Sequence, residues 1–152
     1  MPDAEPGQKR NSRTSEPEPP REVTKQECEE LARFRYGLRR FLRFSEIAVR
    51  HANLRPQQYQ LLLAIKGFPE RDWVTIGEAA ERLQIRHNSA VGLVDRCERL
   101  GIVRREPHPG DRRVIVLKLT AAGEELLQRL VPLHRDELVQ LSNLLEIPHA
   151  SG

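Results

Sequence analysis

The segment that decides the fold spans residues 78–120 and has the sequence EAAERLQIRHNSAVGLVDRCERLGIVRREPHPGDRRVIVLKLT. Its first six residues favour a short helix, and a tight turn separates them from a second helical segment that ends before Gly101. In the second segment, apolar residues recur at the i, i+3, i+4, i+7 spacing of one helix face. These inward residues are Ala90, Leu93, Val94, Cys97 and Leu100. The pattern predicts two short helices joined by a turn.

Two extended segments follow, residues 103–106 and 113–119, and they flank the turn dipeptide Pro109-Gly110, in which the glycine is free to take a positive φ. A hairpin that follows two such helices directly is typical of a winged helix-turn-helix. We therefore expect a mainly α fold with a small β-wing (α+β). Its core would span residues 73–119, including a stub of strand at its beginning.

The helix ends carry local signals. Thr24 with Glu27, and Thr75 with Glu78, each fit a capping box, in which the two residues satisfy each other's free backbone N–H groups. The second helix of the pair has Asn88 or Ser89 as a candidate cap at its beginning, and Gly101 at its end.

Three further helices are predicted around this core. A long amphipathic helix is expected over residues 24–53, and Pro56 begins a second, more apolar helix that ends at Gly67. Regularly spaced leucines predict another long helix over residues 120–146. Pro132 should kink or break it, because proline removes a hydrogen-bond donor and clashes with the preceding turn.

Length and composition limit the organisation of the chain. The 152 residues suffice for one domain, over residues 23–147. Residues 1–22 are rich in proline and charge, so we expect a disordered polar tail there, and residues 148–152 form a short tail. The longest apolar run is too short to span a bilayer and no signal peptide is recognisable, so a cytoplasmic protein with no membrane association is expected.

The charge is concentrated in the predicted core. The formal net charge is +3 for the whole chain, whereas residues 86–118 alone hold eight lysines and arginines against four carboxylates. An excess of cations on the predicted helix-turn-helix and wing is compatible with double-stranded DNA as a partner.

The outward face of the second short helix is the first candidate for DNA contact. Asparagine can bond adenine through two hydrogen bonds, and valine can contact a thymine methyl group. Gly92 in mid-helix costs about 1 kcal/mol relative to alanine, which suggests close approach of another molecule. An ordinary solvated face is the alternative. The residues on this face are His87, Asn88, Val91, Gly92, Asp95 and Arg96.

The wing tip is the second candidate. Arg112 and Arg113 either contact phosphates or a narrow minor groove, or are ordinary loop charges. Asp111 would be misplaced beside phosphate unless it pairs with an arginine, so we assign it to orienting Arg113. Arg104 and Arg105 alternate on a strand, so at most one faces DNA and the other is expected to be a solvated charge.

Other chemistry finds little support in the sequence. Cys28 lies among three glutamates that disfavour its thiolate, and Cys97 lies on an inward helix face, so neither is expected to be a redox switch. No nucleophile or acid/base pair and no phosphate-binding glycine loop is present, so an enzyme is not expected, and no cofactor is implied. No metal site is expected, because four histidines lack ligand spacing: His51, His108, His134 and His149.

Over residues 22–146 the chain resembles the MarR family of winged helix-turn-helix transcriptional regulators. Asp111-Arg112-Arg113 with Leu119-Thr120 is similar to the family's Asp-x-Arg wing motif followed by Leu-Thr. The end of the family's recognition helix is similar to Leu93-Val94-Asp95-Arg96 with Gly101-Ile102-Val103. The likeness includes Arg55-Pro56-Gln57-Gln58, before the second helix.

The resemblance implies a homodimer that binds a pseudo-palindromic DNA site. Regulators of this kind are more often repressors than activators. The helices at 24–53 and 120–146 would form the dimer. Contacts with bases are implied for Asn88, Ser89, Val91 and Gly92. Positions near these bases or on phosphates are implied for Arg86, His87 and Arg96, and Arg113 would enter the minor groove.

A small aromatic effector is a second implication of the resemblance, since many members lose DNA affinity on binding one. We expect its pocket between the first, second and last helices, lined by Phe34, Leu38 and Tyr59. The alternative to DNA binding is a winged domain that uses its basic face for association with an acidic protein.

Overall fold

The computed structural model describes residues 21–145, and the elements follow one another in the predicted order. A fold of five helices with one small antiparallel sheet confirms the mainly α class with a β-wing. The elements are α1 (Lys25–His51), α2 (Pro56–Lys66), β1 (Trp73–Val74), α3 (Ile76–Leu83), α4 (His87–Arg99), β2 (Val103–His108), β3 (Asp111–Leu119) and α5 (Ala121–Leu145). The predicted polar tail, apart from residues 21 and 22, and the C-terminal tail lie outside the described residues.

The sheet has the strand order β1-β3-β2, with both pairs antiparallel. Trp73 pairs with Lys118 and Val74 with Leu117, so the short β1 covers the free edge of β3 near its end. Both wing strands are longer than predicted, because His108 pairs directly with Asp111 across Pro109-Gly110. The wing is therefore a paired hairpin almost to its tip.

Both predicted capping boxes are present, at Thr24 with Glu27 and at Thr75 with Glu78. The expected cap of α4 is wrong. Its N-cap is Arg86, so Asn88 and Ser89 lie inside the first turn. The reason is the turn before it: Gln84 has a φ of 54°, and this left-handed residue reverses the chain early enough for α4 to begin at His87.

The end of α4 follows the prediction. Gly101 has a φ of 71°, a conformation that strains residues with a side chain. Its N–H donates to the carbonyl of Glu98 at 2.9 Å, and the N–H of Ile102 donates to that of Cys97 at 3.1 Å. These two bonds form a Schellman motif, which turns the chain directly from α4 into β2.

The helix α5 continues through Pro132, so of the two predicted effects the break does not occur and the kink stays a prediction. Proline removes one backbone hydrogen bond, but packing of α5 along α1 retains the helix on both sides of it. The buried side chains Leu127, Leu130 and His134 lie before and after the proline, on the face that packs inward.

The core gathers around α2. Leu61, Leu62 and Ile65 are fully buried, and the same cluster contains Val94 and Cys97 of α4. Burial raises the pKa of the Cys97 thiol to about 11, so this cysteine is protonated at neutral pH and acts as an apolar packing residue. Cys28, in contrast, is exposed on α1.

Gly123 joins α5 to the winged core at very short range. A methyl group at this position would overlap the carbonyl oxygen of Ile102, which is backbone and cannot turn aside. The same carbonyl accepts the N–H of Thr120 at 3.2 Å, and the N–H of Gly123 donates to the Thr120 hydroxyl at 3.2 Å. The start of α5 is thus seated on the α4–β2 turn with no room for a side chain.

We predict that Gly123→Ala lowers the free energy of unfolding by about 1–3 kcal/mol, because the added carbon forces the backbone apart. Urea denaturation measures this. The matched control is Gly77→Ala in α3, where the nearest atom to an added carbon is the Thr75 Oγ1 at 3.9 Å. The control should leave stability unchanged or raise it by up to about 1 kcal/mol. Equal stability of Gly123→Ala and wild type would refute the close contact.

Candidate nucleic-acid interface

The helix α4 presents the predicted contact residues on its open side. Of its predicted inward residues, Ala90, Leu93, Val94 and Cys97 are buried, which fixes the rotation of the helix about its axis. Leu100, which follows the last turn, is exposed and does not belong to this face. The predicted residues divide into two groups. Val91 and Gly92 are half-buried, and the exposed ones are Arg86, His87, Asn88, Ser89 and Arg96.

Gly92 is not required by the packing of the chain itself. The nearest atom to a carbon added there is the Nη1 of Arg96 at 3.4 Å, which is the end of a flexible and exposed side chain. The helix therefore tolerates glycine at a cost in stability without any internal benefit. The bare backbone at this position faces outward, next to the side chains of the exposed group.

The wing tip contains an irregularity that displaces its arginines from the hairpin ladder. Pro107 pairs with Ile115, but His108 pairs with Asp111, so residues 112–114 have no partner on β2. Pro107 lacks the N–H that a regular ladder would use. As a result, Arg112 and Arg113 project from the tip, and both are exposed.

Asp111 binds Arg113 at three points. Its Oδ1 accepts from the backbone N–H of Arg113 at 3.1 Å and from the Nε at 3.0 Å, while its Oδ2 accepts from Nη2 at 3.2 Å. The side-chain hydrogen bonds of Arg113, followed by the backbone bond, lower the pKa of Asp111. The carboxylate thus stays charged and holds the base of an arginine side chain that is 91% exposed.

Arg105 connects the wing to α4, a role that the sequence reasoning missed. Its Nη2 donates to the Oδ1 of Asp95 at 2.7 Å, and its Nη1 donates to Glu98. Arg104 bonds Glu106 at 2.6 Å and the carbonyl of Leu119 at 2.9 Å. Arg104 is exposed, as expected of a solvated charge, although it is paired with Glu106. The partners of Arg105 lie 7 and 10 residues earlier on another element, where sequence spacing carries no signal.

The ion pairs leave unpaired positive charge on the surface of α4 and the wing. All four carboxylates of residues 86–118 are paired with arginine or lysine: Asp95 and Glu98 with Arg105, Glu106 with Arg104 and Lys118, and Asp111 with Arg113. Within the described part of the chain, four cations of the same segment form no ion pair. These are Arg86, Arg96, Arg99 and Arg112. The free charge of α4 and the wing tip is positive.

A cavity of about 400 Å³ lies between α1, α2 and α5, where a ligand pocket is predicted. Tyr59 lines it, but Phe34 and Leu38 do not. The cavity begins at Phe41, two turns after Phe34 on α1, and the two excluded residues lie on an open side of the helix, 45% and 37% exposed. The lining is Phe41, Leu42, Ser45, Tyr59, Gln60, Leu63, Val131, His134, Arg135 and Leu138.

His134 is the buried polar residue of this cavity, and no spacing in the sequence indicates this position. Its ring stacks on Tyr59 with centroids 4.8 Å apart. Its Nδ1 lies 2.7 Å from the carbonyl of Leu130 and its Nε2 lies 2.8 Å from the Oγ of Ser45. A carbonyl only accepts, so Nδ1 carries a proton. Burial raises the pKa of Tyr59, whose hydroxyl therefore stays neutral.

Among residues 21–145, no cluster of histidine, cysteine and acidic side chains is arranged to hold a metal ion. Nor does any helix of the described region combine the length and the apolar character that crossing a membrane requires.

Comparisons with known proteins agree with this geometry. The model of the MarR family matches residues 52–114. HosA of Escherichia coli O111:H-, a transcriptional regulator, is 33% identical over 81 residues, which cover 53% of this chain and 58% of HosA. The chain spans between 28% and 58% of the length of the four curated relatives that it matches.

Solved structures match over most of the chain. Sco3205 of Streptomyces coelicolor, a MarR family transcriptional regulator in complex with DNA, is 27% identical with a TM-score of 0.66, covering 86% of this chain and 82% of Sco3205. BpsR of Bordetella bronchiseptica has the same fold, with a TM-score of 0.57 at 18% identity, covering 81% of this chain and 84% of BpsR.

The wing motif, the order of helices and strands, the matched family model and the shared fold lead to one conclusion. Residues 52–114 match the model of the MarR family, and the described fold resembles that of MarR family winged helix-turn-helix regulators.

Proposed function

We propose that this protein is a sequence-specific DNA-binding transcriptional regulator that acts as a repressor. The observation that carries the proposal is the charge balance on α4 and the wing. Every carboxylate of residues 86–118 is paired, while four arginines of that segment are not. Such a surface attracts phosphates, and the outward residues of α4 supply groups that distinguish base edges. Sco3205, which shares the fold, is bound to DNA.

We further propose that two copies act together on a pseudo-palindromic site. The helix α1 carries a row of exposed apolar side chains, Leu31, Phe34, Leu38 and Leu42, which lie along one side of the helix. A row of this kind is expected to be covered by protein. A second copy would cover it and place two winged units about one DNA turn, roughly 34–36 Å, apart. Sedimentation that finds only monomers, together with tight DNA binding, would exclude this arrangement.

DNA binding is tested with the DNA that flanks the gene of this protein. We expect the full-length protein to prefer an inverted repeat there over random DNA, with an affinity that falls steeply as salt increases. Arg113→Ala should weaken binding and reduce the salt slope by about 1. Arg129→Ala, an exposed arginine on α5, is the matched control and should change neither. A stable dimer without DNA affinity at low salt would instead support the protein-association alternative.

We predict opposite effects of Gly92→Ala on stability and on DNA binding. The free energy of unfolding should rise by up to about 1 kcal/mol, because alanine favours the helix and meets only the end of Arg96. Affinity for the specific site should fall, since the added carbon occupies space at the proposed base contact. Urea denaturation and fluorescence anisotropy measure the two quantities. A stabilised variant with unchanged affinity would remove Gly92 from the interface.

The cavity between α1, α2 and α5 is proposed as the site of a small aromatic acid that lowers DNA affinity. Phe41, Leu42 and Leu138 supply apolar walls, and Arg135 supplies a cation for a carboxylate. BpsR, which shares the fold, is regulated in its DNA binding by 6-hydroxynicotinic acid. Residues Phe34 and Leu38 belong to the proposed dimer face instead.

A thermal-shift screen of hydroxylated aromatic acids tests this site. A ligand at a hundred times its Kd should stabilise the wild type by about 2.7 kcal/mol. Arg135→Gln should abolish most of the shift for acids while leaving the uncharged amides of the same rings unaffected. Arg129→Gln, one and a half turns earlier on α5 and outside the cavity, is the control. Absence of any shift, with DNA binding unaltered by the same compounds, would eliminate the ligand proposal.

A further inference from the structure

The imidazole of His108 organises the backbone of the wing tip. Its Nδ1 accepts the N–H of Gly110 at 2.9 Å and the N–H of Asp111 at 3.2 Å. Both bonds use the lone pair of the same nitrogen, so Nδ1 must be unprotonated and the ring hydrogen must be on Nε2. The side chain thus performs the role that an asparagine or aspartate oxygen performs in a turn.

The ring is held in place from several sides. Pro107 and Pro109 restrict the backbone on either side of His108. The ring meets Trp73 of β1 edge-on, with centroids 4.8 Å apart, and the guanidinium of Arg71 lies over the Trp73 ring at 3.9 Å. His108 is half-buried as a result. Its orientation is thus set by contacts with β1 as well as by the turn itself.

His108 is linked to Arg113 through a single residue. Asp111 donates its backbone N–H to His108 and accepts the Arg113 side chain with its carboxylate. The pairing of His108 with Asp111 also places residues 112–114 outside the ladder. The direction of Arg113 therefore depends on a turn that the His108 ring closes.

We propose that His108 is the positioning residue of the wing, and that it holds Arg113 in its DNA-binding orientation only while Nδ1 is unprotonated. The inference rests on the proposed DNA-binding function of the wing. Protonation of His108 would make the contact of the wing with DNA dependent on pH, although the charge of Arg113 itself does not change.

Protonation acts through the groups that face the ring. A proton on Nδ1 removes the acceptor of the N–H groups of Gly110 and Asp111. It also places a positive charge near the Asp111 carboxylate, so the ring and Arg113 compete for the same carboxylate oxygens. The guanidinium of Arg71 lies over the Trp73 ring, and its charge is offset by its ion pair with Glu78.

Two substitutions separate the hydrogen bonds from the ring contact. His108→Asn keeps an oxygen that accepts the same two N–H groups, lacks the ring and does not titrate. His108→Phe keeps the edge contact with Trp73 and lacks the acceptor. At about pH 8, we expect His108→Asn to bind the specific DNA within about twofold of wild type, and His108→Phe to bind roughly 5-fold more weakly.

The pH profile provides the second readout. From about pH 8 to about pH 5.5, the specific-to-random affinity ratio of wild type should fall roughly 5-fold further than that of His108→Asn, which retains His87 of the proposed interface. Using the ratio cancels the general gain in phosphate attraction that any added proton produces. Identical profiles for wild type and His108→Asn, or wild-type affinity in His108→Phe, would overturn the proposal.

NMR of the DNA-free protein makes this test independent of the proposed function. Long-range ¹H–¹⁵N spectra should show an unprotonated Nδ1 at neutral pH, and the amides of Gly110 and Asp111 should shift on acidification in wild type but not in His108→Asn. A protonated Nδ1 at neutral pH would refute the role of His108. If no DNA binds at any pH while these shifts occur, the DNA-binding function fails and the organisation of the turn stands.

Discussion

The contact of Arg105 with Asp95 and Glu98 is the constraint on which the geometry of the proposed interface depends. One guanidinium on β2 bonds two carboxylates on successive turns of α4, so the recognition helix and the wing move as one body. The same contact offsets one of the two negative charges that would otherwise face phosphate. An exposed ion pair contributes only about 0.2–1 kcal/mol to stability, so its main effect is on orientation and on the sign of the surface potential.

Features encoded within a few residues were predictable from the sequence. The capping boxes at Thr24 and Thr75, the glycine end of α4 and the pairing of Asp111 with Arg113 all involve neighbours in the chain. The start of α4 was misplaced for an instructive reason. Asn88 and Ser89 have the chemistry of a cap, but the left-handed conformation of Gln84 decided where the helix begins. Propensity was overridden by the backbone path of the preceding turn.

Features that join distant segments were not predictable in this way. Tyr59 and His134 are 75 residues apart and meet only because α2 and α5 pack together. The cavity is formed by side chains of three helices, and Phe34 and Leu38, which share the apolar pattern of α1, do not line it. Likewise, the partners of Arg105 follow from the angle between α4 and β2. Periodicity shows which face of a helix is apolar, but it does not show which other element covers that face.

The helix α2 limits how an occupied cavity can affect DNA binding. Tyr59 and Leu63 line the cavity, whereas Leu61, Leu62 and Ile65 are buried in the core that also holds the inward face of α4. Because packed cores resist deformation, α2 cannot shift against α4 without opening that core. A ligand would therefore leave the recognition helix and wing intact and act on the parts of α1 and α5 around Phe41 and Leu138, which line the cavity outside this core. Control by such a ligand would alter the spacing between the two winged units of the proposed dimer. The proton on His108 would instead act inside a single unit, on the direction of Arg113.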